Sequence, residues 1–288
     1  VIFGYHNCRN LLYSRLRVEN FHNHAINEQI VSFRGSSNTV VRDCTFIRGG
    51  ITNFNGTYPN TDGAAVQVDA YGVVDSCMFA NMPRGVEIEG AAGNGYQVRT
   101  IVTRCYFSNV FEYGVFNITA GKGDSSIISD NFFAQYGDPH PNWTPIAVYI
   151  TSGRGTIVRG NTFLNVGHGV TVLAGSGGVG SVQVVNNNFR TNIFGVYFTQ
   201  ASGVITGAVV SGNIFENATN GIIMDADAGM ITGNTMMDSG DGTSSVGAIA
   251  LKKHGSPGSG SILVANNVIT DSRGLSAAWY GVQIYANV

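Results

Sequence analysis

A block of about 26 residues recurs along this chain, and it limits the possible folds more than any other feature. "VRGNTFLNVGHGVTVLAG" (158–175) returns as "VVNNNFRTNIFGVYFTQA" (184–201) and as "VSGNIFENATNGIIMDAD" (210–227). Each copy reads as an apolar residue, a two-residue turn usually holding Asn, and then Phe. Six residues after the Phe comes Gly, followed by an apolar–polar alternation. Phe163, Phe189 and Phe215 lie 26 residues apart. The same slot runs backwards through Phe133, Phe107, Phe79, Phe46 and Val18, and forwards through Met236 and Ile269.

About ten such repeats cover almost the whole chain. Their short β-branched runs alternate with period two between turn residues, and nothing longer than a turn shows helical periodicity. Three short strands per repeat, stacked at ~4.8 Å, predict an all-β fold, a right-handed parallel β-helix on the order of 50 Å long. The leucine consensus of a leucine-rich solenoid is missing, and each repeat is too short for a four-stranded propeller blade.

The same register accounts for the cysteines. Two residues before the Phe slot stand Cys44, Cys77, Cys105, Asn131, Asn161, Asn187, Asn213, Asn234 and Asn267. That is one stacked turn position. Asn side chains there can bond one another and the turn backbone, and Cys fills the slot as a small apolar residue. Reduced, buried thiols are expected, with no metal site, because no CxxC or Cys/His spacing occurs.

The strand after each Gly points alternate residues outward. Counting from the Phe slot gives one outward row of Gln67, Glu87, Val115, Tyr149, Thr171, Tyr197, Ile223, Ala250 and Gln283. A second row holds Asp69, Glu89, Asn117, Thr151, Leu173, Thr199, Asp225, Lys252 and Tyr285. The N-terminal end of this face gathers Asp69, Glu87 and Glu89, with Arg84 just before them. Like charges one rung apart repel, so a face made only for solubility would mix signs. Farther along, Tyr149 and Tyr197 offer flat surfaces of the kind that stack on sugar rings. Long insertions at 47–62 and 134–145 would wall a groove, and the second carries Tyr136, His140 and Trp143.

Charged residues make up 12% of the chain, about half the ~25% usual for globular chains, and the formal net charge is −2. No basic run exists, which argues against nucleic acid as a partner. No apolar stretch approaches the ~20 residues of a membrane helix, so membrane insertion is not expected. The opening "VIFGY" is already strand-like, and the reading is of one β-helix domain over 1–288, a piece of a longer chain whose end caps lie elsewhere. The Asp-rich "DADAG" (225–229) and "DSGDG" (238–242) read as turns in preference to calcium loops. Four N-x-S/T sequons, at Asn55, Asn117, Asn142 and Asn217, match chance and imply no glycosylation.

On these residues the chain resembles pectin-lyase-like β-helix proteins, and polygalacturonases in particular. "NCRNLLYSRLRVENFHNHAI" (7–26) is similar to the coil preceding that family's catalytic coils, and "NTDG" (60–63) follows one coil later. The resemblance makes Asp62 one of the carboxylates acting at the glycosidic bond. The family's adjacent aspartate pair is replaced here by Asn81-Met82-Pro83-Arg84, and its "RIK" motif is absent. Its "GHG" matches Gly167-His168-Gly169, but four coils of ~4.8 Å separate that from "NTDG", too far for one sugar bond. His168 is therefore expected to be a surface or turn histidine. "YGDPH" (136–140) resembles the Tyr and Asp-Pro-His of alginate epimerases more weakly.

Glycoside hydrolysis needs two carboxyl groups roughly 5–9.5 Å apart. The leading expectation is a polysaccharide-cleaving hydrolase with Asp62, Glu87, Glu89 and Asp69 as catalytic candidates. Arg84, Asn117, Tyr149, Tyr197, Trp143 and His140 are the substrate-binding candidates, and no cofactor is expected. The alternative is a non-catalytic rod that binds polysaccharide or a receptor, such as a phage tailspike shaft or adhesin. A lyase or epimerase is the lesser alternative. The expected partner is a polysaccharide or oligosaccharide, the expected setting extracellular or on a virion surface, and a homotrimer would supply the missing caps.

Overall fold

The computed structural model describes residues 3–4, 8–19, 30–33, 36–48, 64–69, 71–89, 99–123, 125–136, 144–240, 247–252, 261–273 and 281–285. Among them are 31 strands and no helix. Every pairing between strands is parallel, and each joins a coil to the next. The chain is a parallel β-helix with three faces. The face between the Gly-entered strand and the Phe strand is a sheet of ten strands, one per coil.

The Phe slot is a register in the structure as well. Phe46, Phe79, Phe107, Phe133, Phe163, Phe189, Phe215, Met236 and Ile269 pair in sequence from rung to rung. Their rings stack along the axis, with centroids 4.5 Å apart for Phe107–Phe133 and 5.3 Å for Phe46–Phe79. These separations are those of favourable offset stacking. The strands holding them are mostly three residues long because both flanking positions are left-handed. Asp43, Ser76, Arg104, Asp130, Asn186 and Asn266 precede the Cys/Asn slot with φ between 53° and 57°. Arg48, Asn81, Asn109, Asn165, Thr191, Asn217 and Asp238, two residues after the Phe slot, have φ between 50° and 55°. Asn and Asp tolerate this region better than other side chains, and they are what the turns mostly contain.

The stacked Cys/Asn position forms a continuous ladder. Asn131 Nδ2 donates to Asn161 Oδ1 at 2.9 Å, and the pattern repeats through Asn187, Asn213 and Asn234 to Asn267. Each backbone N–H in the row also donates to the next Oδ1, beginning with Cys105 N to Asn131 Oδ1 at 2.9 Å. Cys44, Cys77 and Cys105 are free, buried thiols at the head of this ladder. Their Sγ atoms approach the same two carbonyl positions as the Asn amides do, as Cys105 does at Val74 O and Thr103 O. The neighbouring Cys105 thiol and burial push Cys77 up to about 12, so Cys77 is inert packing.

The Gly that opens the next strand is required by the Phe beneath it. A Cβ on Gly195 would fall 2.5 Å from Phe215 Cε1 and 2.7 Å from the Gly221 carbonyl oxygen. Neither neighbour can yield at Gly195, whereas the same register holds a buried alanine in other coils, at Ala65, Ala147 and Ala248. In the coil that begins at Phe107 the Gly comes seven residues later, at Gly114, because one extra residue lies between Val110 and Tyr113, where the register shifts. Val115 therefore pairs with Val86 and Val148 inside, and Phe116 takes the outward place beside Glu87 and Tyr149. This corrects the expected rows. Asn117 likewise pairs with Ile88 and Ile150, is fully buried, and donates from Nδ2 to Thr156 Oγ1 at 3.4 Å. It points into the core and cannot touch a ligand on the outer face.

Candidate active site

The outward side of the Gly-entered sheet is built from two rows. The residue immediately before each Gly, or before the Ala147 that replaces it, gives the first: Arg84, Tyr113, Ile146, His168, Phe194 and Asn220, paired from rung to rung. The residue three positions on gives the second: Glu87, Phe116, Tyr149, Thr171, Tyr197 and Ile223. The two rows meet within each rung. Arg84 Nη1 lies 3.8 Å from Glu87 Oε2, the Tyr113 and Phe116 rings are 4.8 Å apart, and His168 Nδ1 is 2.9 Å from Thr171 Oγ1. The Phe194 and Tyr197 centroids are separated by 5.4 Å.

Arg84 is the hub of the N-terminal end. Its Nε and Nη2 donate to the two oxygens of Glu112 at 2.7 and 2.8 Å, a bidentate pair. Its guanidinium carbon lies 5.2 Å from both the Tyr113 and the Phe116 ring centroids. Glu112 holds one edge of the guanidinium and the two rings of the next rung pack against it, which fixes the group. Arg84, Glu87 and Glu112 are 7%, 8% and 6% exposed, although all three belong to the outer side of the sheet. The face is thus more enclosed than the sequence suggests, and Gln67, Thr171, Ile223 and Ala250 are buried too.

One rung away a second polar chain runs outward. Ser32 Oγ donates to Gln67 Oε1 at 2.7 Å, and Gln67 Nε2 donates to Glu89 Oε2. Glu89 is half-buried and is the most accessible carboxylate of the group. Asp69 is buried and follows Val68, which pairs with Ile88, the neighbour of Glu89.

Beyond the charges the face turns aromatic. Tyr149 lies over Tyr113 at 4.8 Å and over Phe116 at 5.5 Å; the Tyr149 and Phe116 planes are 10° apart, and Tyr113 is inclined to them by 28° and 32°. Burial raises the Tyr113 and Tyr149 hydroxyls above their ordinary value, so both stay protonated donors. His168 packs on Phe194 at 4.5 Å, and burial pushes its imidazole down to about 4. It is a neutral, half-buried residue of the outer face, at the start of the strand His168–Ala174.

Of the residues singled out from sequence, the structure brings together Arg84, Glu87, Glu89, Asp69 and Tyr149, with Tyr197 farther along the same row. Asn117 is not among them. Asp62, His140 and Trp143 lie outside the described residues. Tyr113 and Phe194 lie outside the expected rows because those rows take only alternate residues after each Gly, and Glu112 and Phe116 because the extra residue between Val110 and Tyr113 shifts the count. The position just before the Gly was the available signal. Asp227 accepts from Gln200 and Asp238 from Ser272, as turn residues do. Among the described residues no group of His, Cys, Asp or Glu could hold a metal ion.

A family model described as "Right handed beta helix region" matches residues 29–236. Among solved structures, the tailspike protein of E. coli bacteriophage HK620, in complex with a hexasaccharide, superposes with TM-score 0.57 at 15% identity, covering 96% of this chain and 51% of that one. DFA-IIIase from Arthrobacter chlorophenolicus A6 gives TM-score 0.53 at 13% identity, covering 86% and 66%. Alginate lyase from Paenibacillus sp. str. FPU-7 gives 0.54 at 13%, covering 93% and 99%. The chain thus spans half of the tailspike and two-thirds of DFA-IIIase, and at these identities the likeness is one of fold. No curated protein matches the sequence.

Proposed function

Because the chain belongs to the right handed beta helix family, we propose that the outer side of its Gly-entered sheet binds a polysaccharide and hydrolyses it. One observation carries this reading: ion-paired carboxylates are buried on the outer side of a solenoid sheet and run directly into an aromatic strip. Burying charge costs stability, and a face needing only solubility would leave its acids in water. Aromatic rings beside fixed carboxylates suit a sugar ring, whose apolar face stacks while its hydroxyls donate. The similar folds, a tailspike in complex with a hexasaccharide and an alginate lyase, support the same class of partner by analogy.

Glu87 and Glu89 stand two residues apart, which on one face of a strand is roughly 7 Å. That lies within the 5–9.5 Å span of paired glycosidase carboxyls. Glu89, oriented by Gln67 and through it by Ser32, is the carboxylate that meets the substrate. Glu87 supplies the second group, held by Arg84, whose charge Glu112 offsets. Asp62, shortly before the strand Ala64–Val68, is the further candidate acid. With a polymeric substrate, we propose an extracellular or virion-surface setting for this activity.

The test is an incubation with neutral and acidic polysaccharides, reading new reducing ends and unsaturated uronate products together. Hydrolysis predicts reducing ends without unsaturation. Their rate should drop by on the order of 10²–10⁴ in Glu89→Gln and Glu87→Gln, the usual worth of a general acid or base. Unsaturated products would replace hydrolysis with elimination, and retained binding without cleavage would make the protein a binding rod.

A further inference from the structure

We infer that the outer side of the ten-stranded sheet is a docking surface for a second copy of this chain, laid antiparallel on the first. This is a different face from the groove, and the inference does not depend on what the groove binds. One outward position per coil forms a row on this sheet, paired strand to strand from Leu12 through Ile101 and Ile157 to Leu263. Nine of its ten members are Leu, Ile, Val or Met, and the tenth is Gln183. Leu12, Ile101 and Leu263 are 56%, 36% and 57% exposed, and the other apolar members are half-buried. A sheet face that meets only water carries mainly polar side chains, so an apolar row this continuous marks a contact surface.

Length and spacing identify the partner. In all ten coils two residues separate this sheet from the Phe strand, so no insertion rises at that corner. Nine steps of ~4.8 Å make the row roughly 43 Å long. A strip of that length and about 15 Å width buries roughly 650 Å² on each copy, about 1,300 Å² in all, which is within the range of specific interfaces. A partner meeting the row along its length needs a flat apolar row of the same spacing, and a second copy presents one.

Charge sets the direction. The six residues of each coil that make this side of the rod run from two before the row member to three after it. In the first six coils, from 10–15 to 155–160, they include five Arg and three Asp. In the last four, 181–186, 207–212, 228–233 and 261–266, they include no charged residue. Rods laid parallel, coil on coil, would set Arg42 against Arg42 and Arg159 against Arg159, and like charges directly opposite are destabilising. An antiparallel pair lays the charged coils on the uncharged ones, where the Ser211 and Thr232 hydroxyls can accept from arginines. Such a pair is isologous, with its two-fold axis along the strands. The groove lies on another face, so both grooves stay open and run in opposite directions.

Sedimentation equilibrium of the whole chain between about 1 and 100 μM should show monomer passing to dimer, as an interface at the low end of standard size gives. Ile101→Lys should weaken the dimer at least about tenfold, because the two-fold brings the change into the interface twice. Ile193→Lys, at an exposed position on the corner between the Phe strand and the Gly-entered strand, should leave the dimer as it was. Melting curves verify that both variants fold. Direction is read by a spin label on Ser261→Cys in a Cys8→Ser protein. The two labels should lie roughly 40 Å apart in the antiparallel pair, against less than about 20 Å in a parallel one. A chain that stays monomeric, a trimer, a dimer that Ile101→Lys leaves intact, or a short distance between the labels overturns the inference.

Discussion

His168 shows how one position on the outer face is coupled to the stability of the whole. Burial holds its imidazole at about 4, against an ordinary 6.5, so the folded chain refuses a proton that the unfolded chain accepts. Between those two values the unfolded state carries more protons. Stability is therefore fully present above pH 6.5 and falls as the pH drops towards about 4. With a desolvated but not fully enclosed ring, the loss should be on the order of 2 kcal/mol. His168→Gln keeps a polar group near Thr171 and removes the titration. Urea unfolding at about pH 7 and about pH 5 should give a smaller difference for the variant than for the parent. Equal differences would show that the imidazole titrates alike in both states.

At the scale of the strand, the coil beginning at Phe107 separates what the sequence discloses from what it hides. Its fold was legible, because a Phe slot, a Cys/Asn slot and a Gly recur at nearly constant spacing and each answers to a packing need. Rings stack on rings, amides chain to amides, and the Gly makes room for the ring below. The site was legible only in part. Glu87 and Glu89 follow from counting, whereas Glu112 does not, since the extra residue between Val110 and Tyr113 adds nothing to the alternation and shifts every later side chain by one. That shift drives Asn117 inward. Asn117→Ala should accordingly destabilise the fold by about 1–3 kcal/mol, the cost of disturbing a buried hydrogen-bonded polar group. Glycan affinity should stay unchanged. A binding assay on the folded variant distinguishes this from a surface role, which would weaken affinity at unaltered stability. The segments holding Asp62, His140 and Trp143 interrupt the repeat, and repeat logic says nothing about where an insertion places its side chains.

Over the whole molecule, every rung is held only by the rungs on either side, so stability is a sum of local interfaces and is not shared evenly. The central coils have the full complement. Val170 and Val196 are completely buried, the Phe rings above and below them stack, and the Asn ladder passes through. The last described rung, Val282–Tyr285, pairs on one side with Ile249–Lys252. Its inward residues Val282 and Ile284, which continue the register of Ile249 and Leu251, are 44% and 74% exposed. A strand that buries so little apolar surface gains little from pairing, at roughly 25 cal/mol per Å² of area removed from water. Its amides should open well below the free energy of global unfolding. Hydrogen exchange read by mass spectrometry should show peptides over 168–174 and 194–200 protected longest, with protection falling towards 281–285. Adding a bound glycan should slow exchange in the rungs around Glu87, Phe116 and Tyr149 while leaving 281–285 as it was, because coupling fades with each interface crossed. Uniform protection along the rod would show that it unfolds as one cooperative unit, and that the groove and the C-terminal rungs share their stability after all.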